Sequence, residues 1–333
     1  MTEQTPILEA RGLGVSIGTR GRLLGAGRKL DIVVDVSLAL RPGKIVCVVG
    51  ESGSGKTTLG MALLGLTQPT AGEIRFKGTP LADFSKASFR PIREKTSLLF
   101  QDPASSFNPR QRIGDIVAEP RRIAGAGETT AEAIAALAQL AGLPSSLLSR
   151  FPHALSGGQA RRAAVARALS VVPSLIVADE PTAGLDVSVQ GGVMNLFLDI
   201  REKHDTAFLI ITHNLAVARH ISDELVIMYL GRVVESGPTA EIFRNPQHPY
   251  TKALLDSEPI PDPQHRRSEP PVLGEVPSIF ARPSGCEFHE RCRFAESLCR
   301  TRPPQEIADA NGQRVRCHFP LADAAKRPQL VEA

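Results

Sequence analysis

Apolar residues along this chain fall into short runs that differ in their spacing. Residues 7–17 and 32–40 alternate apolar with polar positions and are rich in β-branched side chains, which predicts two strands. Three other runs, 44–50, 174–180 and 207–213, are apolar nearly throughout, as in strands buried on both faces, and a helical stretch follows each. This order predicts an α/β protein with a parallel-sheet core.

Three further runs extend the predicted sheets. Residues 72–78 and 96–101 have the composition of strands, and 224–237 predicts a hairpin that turns at residues 230–232. We therefore expect an antiparallel β subdomain beside the parallel core.

The region from about 103 to 170 is helical in character and interrupts the order of strands and helices. Its clearest helix is 129–143, which is rich in Ala and Leu, has Thr129 or Thr130 as its N-cap and has Gly142 near its end. The sequence therefore predicts a helical insertion in the parallel core.

A glycine-rich segment joins the strand at 44–50 to the helix after it. The letters GESGSGKT at 50–57 match G-x-x-x-x-G-K-[ST], a loop whose backbone N–H groups wrap a β-phosphate. Lys56 is expected to neutralise the β- and γ-phosphate oxygens, and Thr57 to bind Mg²⁺. A glycine-rich turn that fits the pattern by chance is the alternative. The predicted nucleotide-binding residues here are Gly50, Glu51, Ser52, Gly53, Ser54, Gly55, Lys56, Thr57 and Thr58.

Polar residues follow three of the predicted strands. Asp179 and Glu180 end the run LIVADE (175–180), where Asp179 is expected to hold Mg²⁺ through water and Glu180 to polarise the attacking water. Gln101 is expected to contact Mg²⁺ and this water, and His213 to hold the γ-phosphate and Glu180 in register. Each alone also fits an ordinary strand end, a helix cap or a solvated loop residue. Together they lie where open α/β sheets bind ligands.

A second glycine-rich helix start ends the insertion. The segment LSGGQARRAAVARAL (155–169) places Ser156, Gly157 and Gly158 ahead of a strongly helical run, so backbone N–H groups and a hydroxyl face an anion. The chain has one lysine loop, so this second site lacks a phosphate of its own. We expect it to cap ATP that is held by a second copy, or a homologous chain, facing this one head to tail.

These motifs together resemble the ATP-binding subunits of ABC systems over about residues 7–250. The resemblance implies a P-loop, RecA-like fold, ATP and Mg²⁺ as cofactors, ATP hydrolysis as the activity, and two ATP molecules between two subunits. It adds Gln159 and Asp186 to the nucleotide-binding residues. The matching motifs are Walker A at 50–58, the Q-loop Gln101, the signature at 155–159, Walker B at 175–180, the D-loop AGLD ending at Asp186, and the switch His213.

Within ABC proteins, four segments resemble the oligopeptide and dipeptide importer ATPases, whose relatives handle nickel and glutathione. This implies a second ATPase subunit, identical or homologous, two membrane-spanning permease subunits and an extracytoplasmic solute-binding protein. It also implies a peripheral position at the cytoplasmic face of the inner membrane. The segments are FQDPASSFNPR (100–110), NPQHPYTKALL (245–255), LGEVPS (273–278) and PSGCEFHERC (283–292).

The chain departs from the ABC pattern in two places. Ala160 and Ala163 stand in the signature helix where the family usually has a longer polar and a branched apolar residue, and we expect an effect on packing rather than catalysis. Residues 30–34 contain no aromatic side chain to stack on adenine, so we expect the base to rest on an aliphatic residue.

Length and charge limit the functional classes and partners that the sequence allows. The 333 residues contain 39 Lys and Arg against 35 Asp and Glu, without a basic stripe, so no nucleic-acid partner is expected. No apolar run has the length of a membrane span, and the N-terminus lacks the features of a signal peptide. The alternative function is a soluble ABC ATPase of translation or DNA maintenance. Such proteins commonly carry two nucleotide domains or long insertions, whereas this chain has one Walker A motif.

The C-terminal region has a composition of its own. We expect an ABC ATPase domain over 1–250 and a small extension over 251–333, joined by a proline-rich connector at 257–271. Four of the five cysteines, Cys286, Cys292, Cys299 and Cys317, lie in this extension. They fit reduced thiols or, with His289 or His318 replacing one, a zinc site. The family resemblance favours a [4Fe-4S] cluster. Cys47 is expected in the core.

Overall fold

The computed structural model describes residues 4–18, 29–125, 129–257 and 274–321. Nearly all of the predicted connector lies outside these residues. A small antiparallel sheet has the strand order β2-β1-β4-β5. Its strands are β1 (Leu8–Gly18), β2 (Lys29–Leu40), β4 (Ala71–Phe76) and β5 (Thr79–Pro80), with β3 (Ile45–Val49) in the larger sheet.

The larger sheet has eight strands in the order β11-β12-β10-β9-β3-β8-β7-β6. Neighbouring strands from β9 to β6 run parallel, and β10 turns back antiparallel to β9 in the predicted hairpin. The remaining strands are β6 (Thr96–Leu99), β7 (Leu175–Asp179), β8 (Ala207–Thr212), β9 (Glu224–Tyr229), β10 (Arg232–Pro238), β11 (Glu306–Ala308) and β12 (Arg314–Arg316).

As the sequence predicts, a helix follows each of the buried strands at 44–50, 174–180 and 207–213. Thr130 caps the helix predicted at 129–143, because its Oγ1 accepts a hydrogen bond from the Ala133 N–H at 3.3 Å. The described helices are α1 (Lys56–Leu63), α2 (Arg90–Glu94), α3 (Ile113–Ala124), α4 (Ala131–Leu140), α5 (Gly157–Leu169), α6 (Val187–His204), α7 (Leu215–Ile221), α8 (Thr239–Arg244), α9 (Pro249–Asp256) and α10 (Ser297–Thr301).

Strand β3 separates two hydrophobic cores because its side chains alternate between the faces of the sheet. Ile45, Cys47 and Val49 pack with α3, α4, α5 and α6 on one face. Val46 and Val48 pack with α1 and the antiparallel sheet on the other. Cys47 is a core residue, as predicted, and burial raises the pKa of its thiol to about 12. The predicted fold class is confirmed: a parallel core with an antiparallel subdomain and a helical insertion.

The C-terminal extension is joined to the main sheet. Strand β12 pairs antiparallel with β10, with Val315 opposite Glu235. Glu235 is fully buried, and its carboxylate accepts hydrogen bonds from the backbone N–H groups of Gln247 at 2.7 Å and His248 at 2.9 Å, and from Gln313 Nε2 at 2.5 Å. This junction adds the extension to the edge of the larger sheet, with β10 and β9 between β12 and β3.

Candidate functional site

The phosphate loop joins the end of β3 to the start of α1, and two of its glycines are required by space. A Cβ on Gly50 would lie 2.1 Å from the Met228 carbonyl oxygen. Gly55 is the N-cap of α1 at φ 91°, and a Cβ there would lie 2.8 Å from the Ile32 carbonyl oxygen. No described side chain caps α1. Its first N–H groups therefore remain available to an anion.

Lys56 is held inside this loop. Its side chain is almost buried, and Nζ donates hydrogen bonds to the carbonyl oxygens of Gly50 at 2.8 Å and Glu51 at 2.9 Å. Burial lowers the pKa of Lys56, and the carboxylates of Glu180, Asp179 and Glu51 act in the opposite direction. The ammonium group is therefore held at the loop by backbone carbonyl oxygens, with three carboxylates nearby.

Asp179 and Thr57 form the second part of the site. Thr57 Oγ1 donates a hydrogen bond to Asp179 Oδ2 at 2.8 Å. Asp179 Oδ1 is buried and has no hydrogen-bond partner among the described residues. Burial raises the pKa of Asp179, while the hydrogen bond from Thr57 and the charge of Lys56 act in the opposite direction. A carboxylate oxygen and a hydroxyl side by side are oxygen ligands of the kind that Mg²⁺ prefers, so the residues fit the predicted ion.

Glu180 and His213 form a direct pair. His213 Nδ1 lies 2.7 Å from Glu180 Oε1, with the Glu180 side chain 13% exposed and that of His213 70% exposed. Glu180 has a positive φ of 47°, and its N–H donates to the Ile211 carbonyl oxygen at 2.8 Å. The backbone after β7 thus turns sharply to aim this carboxylate at the end of the sheet.

One cavity of about 700 Å³ joins these groups. The phosphate loop lines one side, and the ends of strands line the other with Gln101, Asp179, Glu180 and His213. Leu30 and Ile32 of β2, together with Ile279 of the extension, form an aliphatic part of the wall. The aliphatic wall agrees with the absence of an aromatic residue at 30–34. No local sequence signal points to Ile279, because it lies far along the chain.

The signature residues lie elsewhere. Ser156 and Gly157 are exposed, and neither they nor Gly158 lines the cavity. Ser156 and Gln159 cap α5 reciprocally: Ser156 Oγ accepts from the Gln159 N–H at 3.3 Å, and Gln159 Oε1 accepts from the Ser156 N–H at 3.0 Å. Asp186 similarly caps α6, accepting from the Val189 N–H at 3.0 Å.

A buried arginine, which no sequence pattern singles out, connects α5 to the loop at residues 180–183. Arg161 Nη1 donates to the carbonyl oxygens of Pro181 at 2.8 Å and Glu180 at 3.3 Å, and Nη2 donates to that of Ala183. The signature helix and the loop that carries Glu180 are therefore mechanically linked. Ala160 and Ala163 of the same helix are buried in the core.

The four cysteines of the extension surround one small cavity. Cys286, Cys292, Cys299 and Cys317 line it with His248, His289 and His318. Burial raises the pKa of the Cys286 thiol to about 12. Within the described ranges, no three His, Cys, Asp or Glu side chains are placed to hold a metal ion. The iron–sulfur cluster and the zinc site therefore both stay predictions.

Comparison with known proteins assigns the family. The protein-family model for the ABC transporter family matches residues 33–183. The family model for the oligopeptide/dipeptide transporter, C-terminal region, matches residues 234–299. The di/tripeptide transport ATP-binding protein DppF of Pseudomonas aeruginosa (strain UCBPP-PA14) is 43% identical over 285 residues, covering 85% of this chain and 88% of that protein. The chain belongs to the ABC transporter family. It is an ABC ATPase.

Other relatives agree with this assignment. The dipeptide transport ATP-binding protein DppF of Haemophilus influenzae (strain ATCC 51907 / DSM 11121 / KW20 / Rd) is 39% identical over 317 residues, 95% of this chain and 97% of that protein. A dimeric structure of the ATP-binding cassette MJ0796, bound to ADP and Pi, matches this ABC ATPase with a TM-score of 0.61 at 25% identity. The match covers 70% of this chain and 98% of the MJ0796 chain. In the described part of the chain, no helix has the length and apolar character needed to cross a membrane.

Proposed function

We propose that this ABC ATPase is the motor subunit of an importer for dipeptides or oligopeptides. The observation that carries the proposal is the single cavity that joins Lys56, Asp179, Glu180 and His213. The match of residues 234–299 to the oligopeptide/dipeptide transporter C-terminal region, and the names of the most similar relatives, support peptides as the cargo.

In hydrolysis, each part of the cavity has a proposed role. The loop N–H groups and Lys56 hold the β- and γ-phosphates, and Thr57, Asp179 and Gln101 hold Mg²⁺, which when bound neutralises phosphate charge. Glu180 orients a water molecule and accepts its proton as the new bond to the γ-phosphorus forms and the bond to ADP breaks. His213 keeps the Glu180 carboxylate in place through the contact at 2.7 Å.

The second half of each ATP site is proposed to come from a second ATPase subunit, identical or homologous. Ser156, Gly157, Gly158 and Gln159 would face the γ-phosphate of the partner's ATP, with Asp186 beside them. The exposure of Ser156 and Gly157, and the absence of the signature residues from this chain's own cavity, support that arrangement. The dimeric ADP-bound cassette among the solved structures supports it too.

The proposal extends to the assembly. Two membrane-spanning permease subunits would bind the ATPase domain over 1–250 through the helical insertion at 103–170, at the cytoplasmic face of the inner membrane. A solute-binding protein would deliver the peptide. The extension over 251–333 is proposed to hold a [4Fe-4S] cluster at the four cysteines. The four cysteines line one small cavity, and no step of hydrolysis runs through the cluster.

The Glu180→Gln variant tests the motor. With ATP and Mg²⁺ it is expected to bind nucleotide without hydrolysing it and to shift from monomer to dimer in light scattering, or to do so only with its homologous partner. Uptake of a labelled dipeptide by cells whose only copy is this variant should be lost. Co-purification with ribosomes rather than membrane proteins would favour the soluble ABC ATPase. Iron, sulfide and zinc analysis after anaerobic purification tests the cysteines.

A further inference from the structure

The phosphate loop carries an acidic side chain at its second position. Glu51 lies in a loop that must hold several phosphate groups, and its carboxylate is one of the charges that act on Lys56. An uncompensated carboxylate here would repel a polyphosphate and attract the lysine that the phosphates need. The site therefore works better if a cation compensates Glu51.

That cation comes from 240 residues further along the chain. Arg291 Nη1 donates to Glu51 Oε2 at 2.7 Å, and Nη2 donates to Glu51 Oε1 at 3.0 Å. Each nitrogen is paired with one oxygen, the strong two-pronged geometry of an arginine–carboxylate pair. The Arg291 side chain is 6% exposed and that of Glu51 26%, so water and salt screen the pair only weakly.

An aromatic cluster fixes both partners. The Arg291 guanidinium carbon lies 5.8 Å from the ring centre of Tyr229 and 6.0 Å from that of Phe288, within the range of cation–π attraction. The Tyr250 hydroxyl accepts a hydrogen bond from the Glu51 N–H at 2.9 Å, and its ring centre lies 4.7 Å from that of Tyr229. The cluster thus contacts the backbone of the loop as well as the ion pair.

We propose that Arg291 is a positioning residue of the nucleotide site, which neutralises Glu51 and keeps its carboxylate from competing with ATP for Lys56. This inference rests on the proposed use of the cavity for ATP. Arg291 acts through Glu51, since neither residue is among those that line the cavity. The extension is thereby a working part of the ATP site.

Binding of the non-hydrolysable analogue AMP-PNP with Mg²⁺, followed by calorimetry, tests the proposal. Arg291→Met leaves the Glu51 carboxylate without its counter-charge, and the Kd is expected to rise about tenfold, or about 1.4 kcal/mol. Glu51→Gln alone removes the carboxylate and completes the double-mutant cycle, and its Kd is the reference for the double variant. The double variant Glu51→Gln, Arg291→Met is expected to recover to within about threefold, because the unwanted charge is gone.

Arg316→Met is the matched control. Arg316 belongs to the same extension and forms an ion pair with Asp35 of β2 at 2.8 Å. Its partner Asp35, unlike Glu51, lies outside the phosphate loop. The Kd of Arg316→Met should equal that of wild type, whatever the loss of the Asp35 bridge does to its thermal midpoint without nucleotide.

Two results would overturn the inference: wild-type affinity in Arg291→Met, or a double variant as weak as Arg291→Met alone. If Arg291→Met does not fold, Arg291→Lys decides. It keeps the charge and loses the two-pronged geometry, so its Kd should rise about threefold and recover with Glu51→Gln. An unchanged Kd, or no recovery, would contradict the proposal. Wild-type protein that fails to bind AMP-PNP would instead contradict the proposed function.

A separate observation places Ile279 in the wall of the cavity. This residue lines the cavity with Leu30 and Ile32, and Arg282 Nη2 fixes its segment to β2 by donating to the Asp31 carbonyl oxygen at 2.8 Å. We infer that Ile279 forms one wall of the purine site, in place of an aromatic ring. An aliphatic wall offers no hydrogen bonds to the base, so it binds any purine by burial.

Ile279→Ala and its neighbour Phe280→Ala test this point. Phe280 is 65% exposed and does not line the cavity. Ile279→Ala is expected to raise the Kd of AMP-PNP and of the guanine analogue GMP-PNP alike, by about fivefold, as loss of about 1 kcal/mol of apolar burial implies. Phe280→Ala should change neither Kd. Equal effects of the two variants, or an unchanged Kd in Ile279→Ala, would contradict the role of Ile279.

Discussion

The two glycine-rich helix starts of this chain differ in what satisfies their backbone donors. At α1 the cap is Gly55, no described side chain bonds to the first turn, and Lys56 stands beside it in the cavity. At α5, Ser156 and Gln159 cap each other reciprocally on an exposed surface. Both favour an anion. Only α1, however, stands in a cavity with metal-type ligands and a carboxylate base from the same chain.

The groups that line the α1 cavity therefore all come from one chain, whereas the α5 helix start lies outside that cavity. The α1 site gathers its groups from distant strands, so folding alone assembles it. The α5 site is organised locally and, in the proposed function, faces ATP that another chain holds. Arg161 joins the helix that begins at this cap to the backbone of the loop carrying Glu180.

The largest effect is expected from separate damage to the two helix starts. Lys56→Met should abolish binding of ATP, and Ser156→Arg should keep binding but lower hydrolysis at least a hundredfold, of the order seen when a transition-state contact is removed. If identical chains pair, a 1:1 mixture of the two variants makes half of the dimers mixed, each with one intact site. Hydrolysis should then return to about a quarter of wild type.

A mixture that stays inactive while each variant is folded would mean that the partner is a homologous ATPase. Wild-type hydrolysis by Ser156→Arg alone, without the Lys56→Met variant, would contradict the proposal that α5 acts on the ATP of the partner chain. Steady-state phosphate release at saturating ATP measures both cases.

A second comparison separates the two residues of the proposed catalytic pair, Glu180 and His213. Glu180→Gln is expected to lower kcat by about a thousandfold and His213→Ala by about ten- to a hundredfold, since general-base catalysis is worth about 10² to 10⁴ and His213 acts through Glu180. KM should change little in both. A larger loss for His213→Ala than for Glu180→Gln would show that His213 is itself the base.

A helix cap offers a milder test. Ser156→Ala and Thr130→Ala each remove a hydroxyl that accepts from a backbone N–H at 3.3 Å, at the starts of α5 and α4. Each should lower the free energy of unfolding by about 1 kcal/mol. Only Ser156→Ala should also slow hydrolysis. Equal slowing in both variants would assign the effect to the stability of the insertion.

Much of this architecture could be predicted because local patterns determine it. The apolar run at 44–50 and the letters GESGSGKT specify a buried strand, a loop and a helix within one short segment. The polar strand ends at Asp179, Glu180 and His213 converge because parallel strands place their carboxyl ends at one edge. These positions needed no knowledge of tertiary packing.

Contacts of the extension could not be predicted in the same way. The pairing of Arg291 with Glu51 joins residues 240 positions apart, and nothing in the letters CEFHERC names a partner for that arginine. Ile279 reaches the cavity where Arg282, three residues further on, bonds to the Asp31 carbonyl oxygen of β2, a contact that no local pattern predicts. The role of Arg161 could not be predicted because an arginine in an Ala-rich helix normally faces solvent. This arginine is instead buried and donates hydrogen bonds to backbone carbonyl oxygens.

The smallest effect is a pH dependence of opposite sign at two acids. Burial raises the pKa of Asp179 above its ordinary 3.8, so without nucleotide the charged form costs stability, and stability falls as the pH rises through the raised pKa. Hydrogen bonding by the Val189 N–H lowers the pKa of Asp186, whose contribution is present above pH 3.8 and is lost as the pH falls. At pH 7, Asp179→Asn should therefore raise the thermal midpoint by about 2 °C and Asp186→Asn should lower it. The Asp179→Asn difference should shrink towards pH 4, and the Asp186→Asn difference should shrink below that pH. Adding Mg²⁺ and ATP should reverse the advantage of Asp179→Asn, because the buried carboxylate that weakens the empty site is the one that binds the ion.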